Sequence, residues 1–356
     1  MGEIFDSSYD GQEVDRAVGA ALNEIPALLN QMRIRVGDNG TDADLNICDE
    51  NGNVIAQFRN GHIRTKYFDS SEAHTSGQHL KICIIGNSYT ADSFMYLPFI
   101  LKNYGITVEV GCYVRSSGTL ANAVSEWSTG SSSVSSAFYY INTKTMTSWL
   151  TVSTAASPLM ATTYKDWDIM VLQQSSEASI TYSTYTYARQ LEELILDNVG
   201  KPVVFGWNVN INRASSGSDY TAIANTILTN IQNICQREPI DIIFPYGTAI
   251  FNARTNSTLA AIGAGGNLWC SDKVHLQEGL PCYIANLANV QALFNRYYPH
   301  LSVMGDVTRP TAAAITSWAV KSTNGSSVGV TESNCRLAQI CAVLAAKFNF
   351  EIKTIY

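Results

Sequence analysis

A chain of 356 residues is long enough for one large domain or two modest ones, at roughly 100–200 residues per domain, and it can bury a real core. Charged residues make up 15% and the formal charge is −7, so no cationic excess is available to release counterions from phosphates, and nucleic acid is not an expected partner. Hydrophobic content of 46% excludes wholesale disorder. No apolar run approaches the roughly 18–20 residues of a membrane helix, so no membrane span is expected. The opening segment MGEIFDSSYDG is acidic and lacks an apolar h-region, so no signal peptide is expected in this chain.

Residues 10–33 begin with a capping-box pattern, Asp10 followed by Glu13. Val14, Val18, Ala21, Ile25, Leu28 and Met32 then recur as a heptad-like seam. Pro26 interrupts it, because proline removes a backbone donor and crowds the preceding turn. Two readings stand: a helix packed on its own domain, or an oligomerisation device. From 44 to 69, Asn51-Gly52 and Asn60-Gly61 are type I′ hairpin dipeptides that separate three short strands of a small β-meander. Residues 70–79 (SSEAHTSGQH) read as a linker. The expected organisation is therefore an accessory module over 1–78 and a larger body over 79–356.

In the body the pattern changes to apolar runs at 80–86, 106–113, 167–173, 202–207 and 240–245. Helical patterns lie between or after them, at about 91–104, 184–198, 220–236 and 278–296. Fully apolar strands separated by amphipathic helices predict an α/β fold, a five-stranded parallel sheet covered on both faces. Ligands in such sheets bind outside the carboxyl ends of the strands. The Ser-rich stretch 128–136 is expected to be a surface loop.

The first of these strands runs into Gly86-Asn87-Ser88, which places a serine at a strand-to-helix turn. The positive end of a helix dipole there favours developing negative charge. A serine hydroxyl is inert near neutral pH without a base, and Asp272-Lys273-Val274-His275 offers one. An imidazole can take the hydroxyl proton, and a carboxylate three residues earlier can fix its tautomer. The chain has five histidines, and beyond the linker only His275 and His300 remain. The eight cysteines show no C-x-x-C and no zinc spacing with histidine, and Cys83 and Cys112, inside apolar runs, are expected to be reduced core thiols. Cys270, close to Asp272, is read the same way. Nothing in the sequence requires a metal or other cofactor.

Gly-x-Ser after the first strand, with Asp-x-x-His ahead of the last helix, resembles the SGNH (GDSL-type) hydrolase superfamily. The closest resemblance is to a Bacteroidetes branch of SGNH-like proteins of unknown function. Its motifs correspond here to Gly86-Asn87-Ser88, Leu172-Gln173-Gln174 and Gly247-Thr248-Ala249-Ile250-Phe251-Asn252-Ala253-Arg254, and the likeness runs from about 80 to 300. It implies a flavodoxin-like three-layer α/β/α sandwich, with Ser88 as nucleophile, His275 as base and Asp272 orienting it. It also implies an oxyanion hole from the Ser88 and Gly118 amides. The superfamily's usual Gly-x-Asn-Asp is absent, so a glutamine amide is expected in its place, Gln174 first and Gln173 second. Asn87, Trp207, Asn208 and Arg254 are expected at the substrate, although Asn252 and Arg254 could instead pin the loop carrying the histidine.

The segment before the body resembles adaptor segments found ahead of hydrolase domains in phage, prophage and Bacteroidetes surface proteins. That implies a homo-oligomer, in the form of a trimer, through the helical seam, with an ordinary accessory β-module as the alternative. Localisation stays open, with extracellular, periplasmic or virion-associated settings favoured. Two functions from different classes follow. One is a serine esterase, a carbohydrate O-acetyl esterase working through an acyl-enzyme on a small acyl ester or acetylated glycan. The other is a catalytically idle glycan-binding or adhesive module of a surface or phage-tail-like protein.

Overall fold

The computed structural model describes residues 79–356 except 202, 213–219, 265, 306–317 and 319–326, together with the backbone of four strands between 33 and 65. The expected N-terminal helix and most of the linker lie outside the described residues. Backbone contacts divide the chain into two compact units. One comprises Met1–Tyr67 with Cys235–Pro239, and the other Phe68–Ile234 with Ile240–Tyr356.

The first unit holds an antiparallel sheet of β1 (Arg33–Val36), β2 (Leu45–Cys48), β3 (Val54–Arg59) and β4 (His62–Thr65), paired in that order. Arg59 opposite His62 leaves two residues between β3 and β4, the spacing of a two-residue hairpin. The meander has four strands where the sequence pattern shows three. The extra one, β1, is the tetrapeptide RIRV, too short for its alternation to register beside the helical seam.

The larger unit begins with β5 (Leu80–Asn87), α1 (Tyr89–Phe94), α2 (Leu97–Asn103), β6 (Val108–Arg115) and α3 (Leu120–Ser125). Next come β7 (Ser136–Asn142), β8 (Leu150–Ser153), α4 (Pro158–Thr163) and β9 (Ile169–Leu172). The chain continues through α5 (Thr186–Leu196), β10 (Val204–Asn208), α6 (Tyr220–Cys235), β11 (Ile242–Phe244), α7 (Tyr246–Arg254) and α8 (Ser257–Ala260). It ends with α9 (Leu280–Tyr297) and α10 (Glu332–Lys347).

These strands form one seven-stranded sheet in the order β11-β10-β9-β5-β6-β7-β8, with helices on both sides. The five expected strands are present and mutually parallel. The expectation of a five-stranded sheet needs correction, because β7 and β8 extend it as an antiparallel hairpin beside β6. The Ser-rich run obscured this: its last residue, Ser136, is the first of β7, and β8 is four residues long with none of them buried.

Among the parallel strands the order is 2-1-3-4-5, a doubly wound arrangement. Chain direction around the sheet reverses between β5 and β9, and the crevice at such a switch point is where open α/β sheets bind ligands. Ser88 immediately follows β5, at that crevice. The parallel strands are buried: β9 is covered on both faces along its whole length, as its unbroken apolar sequence IMVL requires.

Candidate active site

Ser88 occupies the N-cap position of α1, but its side chain caps nothing. Its hydroxyl instead lies 2.7 Å from His275 Nε2. The turn beneath it is tightly built. Asn87 Oδ1 accepts the Tyr89 N–H at 3.1 Å, while Asn87 Nδ2 donates to the carbonyls of Gly118 and Gln174, tying together the segments after β5, β6 and β9. Gly86 is needed for close approach: a Cβ there would collide with Thr90 Oγ1 and lie 2.5 Å from Gln173 Oε1. Those two atoms are themselves bonded at 2.7 Å.

The histidine loop closes on itself. Trp269 and Leu276 form an isolated antiparallel bridge, and the Cys270 N–H donates to His275 O at 2.9 Å. Within the loop, Asp272 Oδ1 accepts the N–H groups of Val274 (2.7 Å) and His275 (2.9 Å), the local side-chain-to-backbone bonding that makes aspartate a turn former. Its other oxygen, Oδ2, meets His275 Nδ1 at 2.6 Å. Lys273 adopts φ 55°, left-handed backbone that a side chain seldom takes. With Asp272 holding Nδ1–H, the lone pair of Nε2 faces the serine hydroxyl. Tyr89 lies alongside, its ring centroid 5.5 Å from that of His275.

Partial burial works against a charge on Asp272, but hydrogen bonds from the Cys270 thiol, the His275 ring and the His275 and Val274 N–H groups outweigh it. They hold the carboxyl well below its usual range. The Cys270 thiol donates to Asp272 Oδ1 at 2.9 Å. Burial, and then its bond to that carboxylate, push the thiol up to about 12.

A buried polar network joins the serine helix to the segment carrying the histidine. Asp92, one turn beyond Ser88, accepts the N–H of Leu276 at 3.0 Å. Asn286 Nδ2 donates to Asp92 O and Cys282 O, and its Oδ1 accepts from Tyr96 and Leu97. Asn289 Nδ2 donates to Ser93 O. Each of these side chains is buried, where an unpaired polar group costs about 1–3 kcal/mol.

The structure places the remaining expected site residues in other contacts. The Gln174 amide nitrogen is engaged by Thr184, at 3.3 Å to its carbonyl and 3.1 Å to its hydroxyl. Gln174 Oε1 accepts from Leu120 and Ser175. Gln173 Nε2 turns toward the Tyr246 hydroxyl at 3.4 Å. Both glutamine side chains therefore brace loops. The Gly118 N–H donates to Arg115 O at 3.0 Å, within a loop that a two-pronged Arg115–Glu126 pair stiffens.

Of the expected substrate residues, Trp207 is 1% exposed and lies against Tyr185, and Asn208 is fully buried with its amide on Ser93 Oγ. Neither offers a face to a ligand. Asn87 is buried as the staple described above. Arg254 bonds Asn267 O and lies 4.3 Å from the Trp269 ring centroid, so it pins the histidine loop, the alternative left open in the sequence.

Sequence reading passed over Asp92 and Asn286, which carry no local motif. It took Cys270 as structural, although its position two residues before Asp272 was a usable signal. The described cysteines, Cys83, Cys112, Cys235, Cys270, Cys282, Cys335 and Cys341, are all buried and unbridged. Cys270, Asp272 and His275 bring donor atoms within 4.8 Å of one another and could hold a metal ion. No helix among the described residues is long and apolar enough to cross a membrane.

No family model matches the chain, and no curated protein matches it. Among solved structures, a DUF4886 family protein from Bacteroides uniformis ATCC 8492 superposes with a TM-score of 0.59. The two share 20% identity, over 78% of this chain and 98% of that one. The two chains share a fold. A second chain, from Slackia heliotrinireducens and provisionally described as an SGNH hydrolase, matches at a TM-score of 0.39. It shares 16% identity, over 61% of this chain and 100% of that one.

Proposed function

We propose that the protein is a serine esterase of SGNH type, acting through an acyl-enzyme. One observation carries this reading: a hydroxyl that caps nothing, 2.7 Å from an imidazole whose other nitrogen is held 2.6 Å from a carboxylate. Ser88 Oγ adds to the acyl carbonyl as its proton passes to His275 Nε2. Collapse breaks the bond to the alkoxy group, which leaves with that proton. Water then gives a proton to His275 and attacks the acyl carbon. Collapse of the second intermediate returns the proton to Ser88 and frees the carboxylic acid. Asp272 stays charged throughout and stabilises the imidazolium.

The Ser88 N–H, at the start of α1, is the oxyanion donor this reading retains, since the first amides of a helix have no acceptor within it. Loss of one oxyanion donor lowers turnover by a factor of about 10²–10³. With the Gly118 N–H on Arg115 O and both glutamine side chains engaged in the loops, this reading expects slow turnover on its proposed substrate, an acetyl ester. For the alcohol part this reading takes a carbohydrate, and the weakly charged, Tyr-rich chain agrees with a neutral hydroxylated moiety. The same engaged amides favour the second reading, a glycan-binding module with an idle triad.

Hydrolysis of a chromogenic acetyl ester by wild type and Ser88→Ala tests this, together with mass-spectrometric mapping of a fluorophosphonate label. The expected result is labelling at Ser88 and a rate at least about 10³-fold lower in the variant. Activity that survives the substitution overturns the triad, and an inert wild type with unlabelled Ser88 selects the binding module.

A further inference from the structure

Serine–histidine–aspartate chemistry has no use for a thiol, yet Cys270 is fully buried with its S–H on the triad carboxylate. Thiolate, imidazole and carboxylate are the donors that zinc takes, at bond lengths of about 2.0–2.3 Å. In a tetrahedral site those lengths put the donors about 3.3–3.8 Å apart. Here the three donor atoms already lie within 4.8 Å of one another, and the 2.6 Å between His275 Nδ1 and Asp272 Oδ2 has to open, so admitting a cation needs movements of about 1 Å. The Asp272 and His275 side chains are 27% and 21% exposed, which leaves an approach for the ion and a place for a water as fourth ligand.

We propose that Cys270, Asp272 and His275 form a binding site for a thiophilic divalent cation of the zinc type, and that filling it switches the active site off. The switching half rests on the esterase reading above; the binding half does not. Coordination through His275 Nδ1 displaces the proton that Asp272 holds there, and that proton moves to Nε2. The thiol proton passes to solvent water as the cysteine binds as thiolate. No electrons change hands. The imidazole then presents N–H to the Ser88 hydroxyl and has no lone pair to accept its proton, so the nucleophile is left without a base. A donor set of sulfur, nitrogen and one carboxylate selects zinc or cobalt over the oxygen-seeking magnesium and calcium ions.

Cobalt(II) is the probe, because a cobalt–thiolate bond absorbs in the near ultraviolet and reports binding without turnover. The full chain is titrated with cobalt(II) as wild type, Cys270→Ala, Cys270→Ser and Ser88→Ala. The expected result is a thiolate band in wild type and in Ser88→Ala, and its absence from both cysteine variants. Either cysteine variant suffices if the other fails to fold. Zinc is then expected to inhibit ester hydrolysis reversibly, with a chelator restoring the rate and magnesium having no effect. The inhibitory zinc concentration should be at least about tenfold higher in Cys270→Ser, each protein being compared with its own uninhibited rate. No band in wild type, or a band that persists without Cys270, overturns the site. A band with undiminished hydrolysis overturns the switch alone. An inert wild type that still shows the band counts against the esterase and leaves the site standing.

Discussion

Gln174 shows how a side chain of the right chemistry can be committed to a different task. Its carbonyl collects the N–H groups of Leu120 and Ser175, and its amide reaches Thr184, so it braces the loops after β6 and β9 from within. Gln174→Ala removes the acceptor for two backbone donors. The expected loss of stability is about 1–3 kcal/mol, read as a lowered midpoint in denaturant with unchanged slope. An oxyanion donor would behave differently, with turnover falling by about 10²–10³ and stability unmoved. Measuring both quantities on one variant separates the two roles. Asp272 was legible from its spacing to His275, because both residues lie in one tight loop and their contact is local. The engagement of Gln174 was not, since Leu120 and Thr184 approach it only once the segments after β6 and β9 have folded over the sheet.

At the scale of elements, the site depends on how α1, α2 and α9 are joined. Helix α2 has no capping side chain of its own at Tyr96. Asn286, from the middle of α9, supplies the missing acceptor to the N–H groups of Tyr96 and Leu97, a cap given by one helix to another. The same residue holds Asp92 O through its amide, and Asp92 in turn holds Leu276, the neighbour of His275. Asn286→Ala is expected to cost about 2–5 kcal/mol, because it orphans two buried donors and leaves a cavity. A fall in Tm measured by calorimetry checks this, and a variant as stable as wild type would show that the cap is dispensable. The helical period of α9 was readable at 278–296; the partners of its buried asparagines were not. Periodicity reports which face is apolar, and α9 is buried on nearly all sides.

For the whole molecule, the doubly wound sheet brings the site together at its switch point. β5 delivers Ser88 there, β6 and β9 deliver the loops that Asn87 staples, and the segment ahead of α9 returns with Asp272 and His275. Everything the proposed chemistry touches belongs to residues 79–356. That segment expressed alone is therefore expected to unfold cooperatively and to hydrolyse the test ester at the full-length rate per active site. Matched denaturation curves and rates for the two chains check this, and an insoluble or inactive segment would show that the first 78 residues are required.

Local regularities were enough for part of this picture. Unbroken apolar runs mark strands buried on both faces, and each of the five parallel strands was visible as such a run. A serine after the first strand and an aspartate three residues before a histidine also announce themselves, because their chemistry or their contact is local. The hairpin β7–β8 was hidden by a serine-rich preface. The commitments of Gln173, Gln174, Trp207, Asn208 and Arg254, and the thiol's place on Asp272, depended on the folded arrangement. Most of those contacts join residues far apart in the chain, and hydrogen-bond partners at that range follow from how helices seat on the sheet, which no spacing along the chain records.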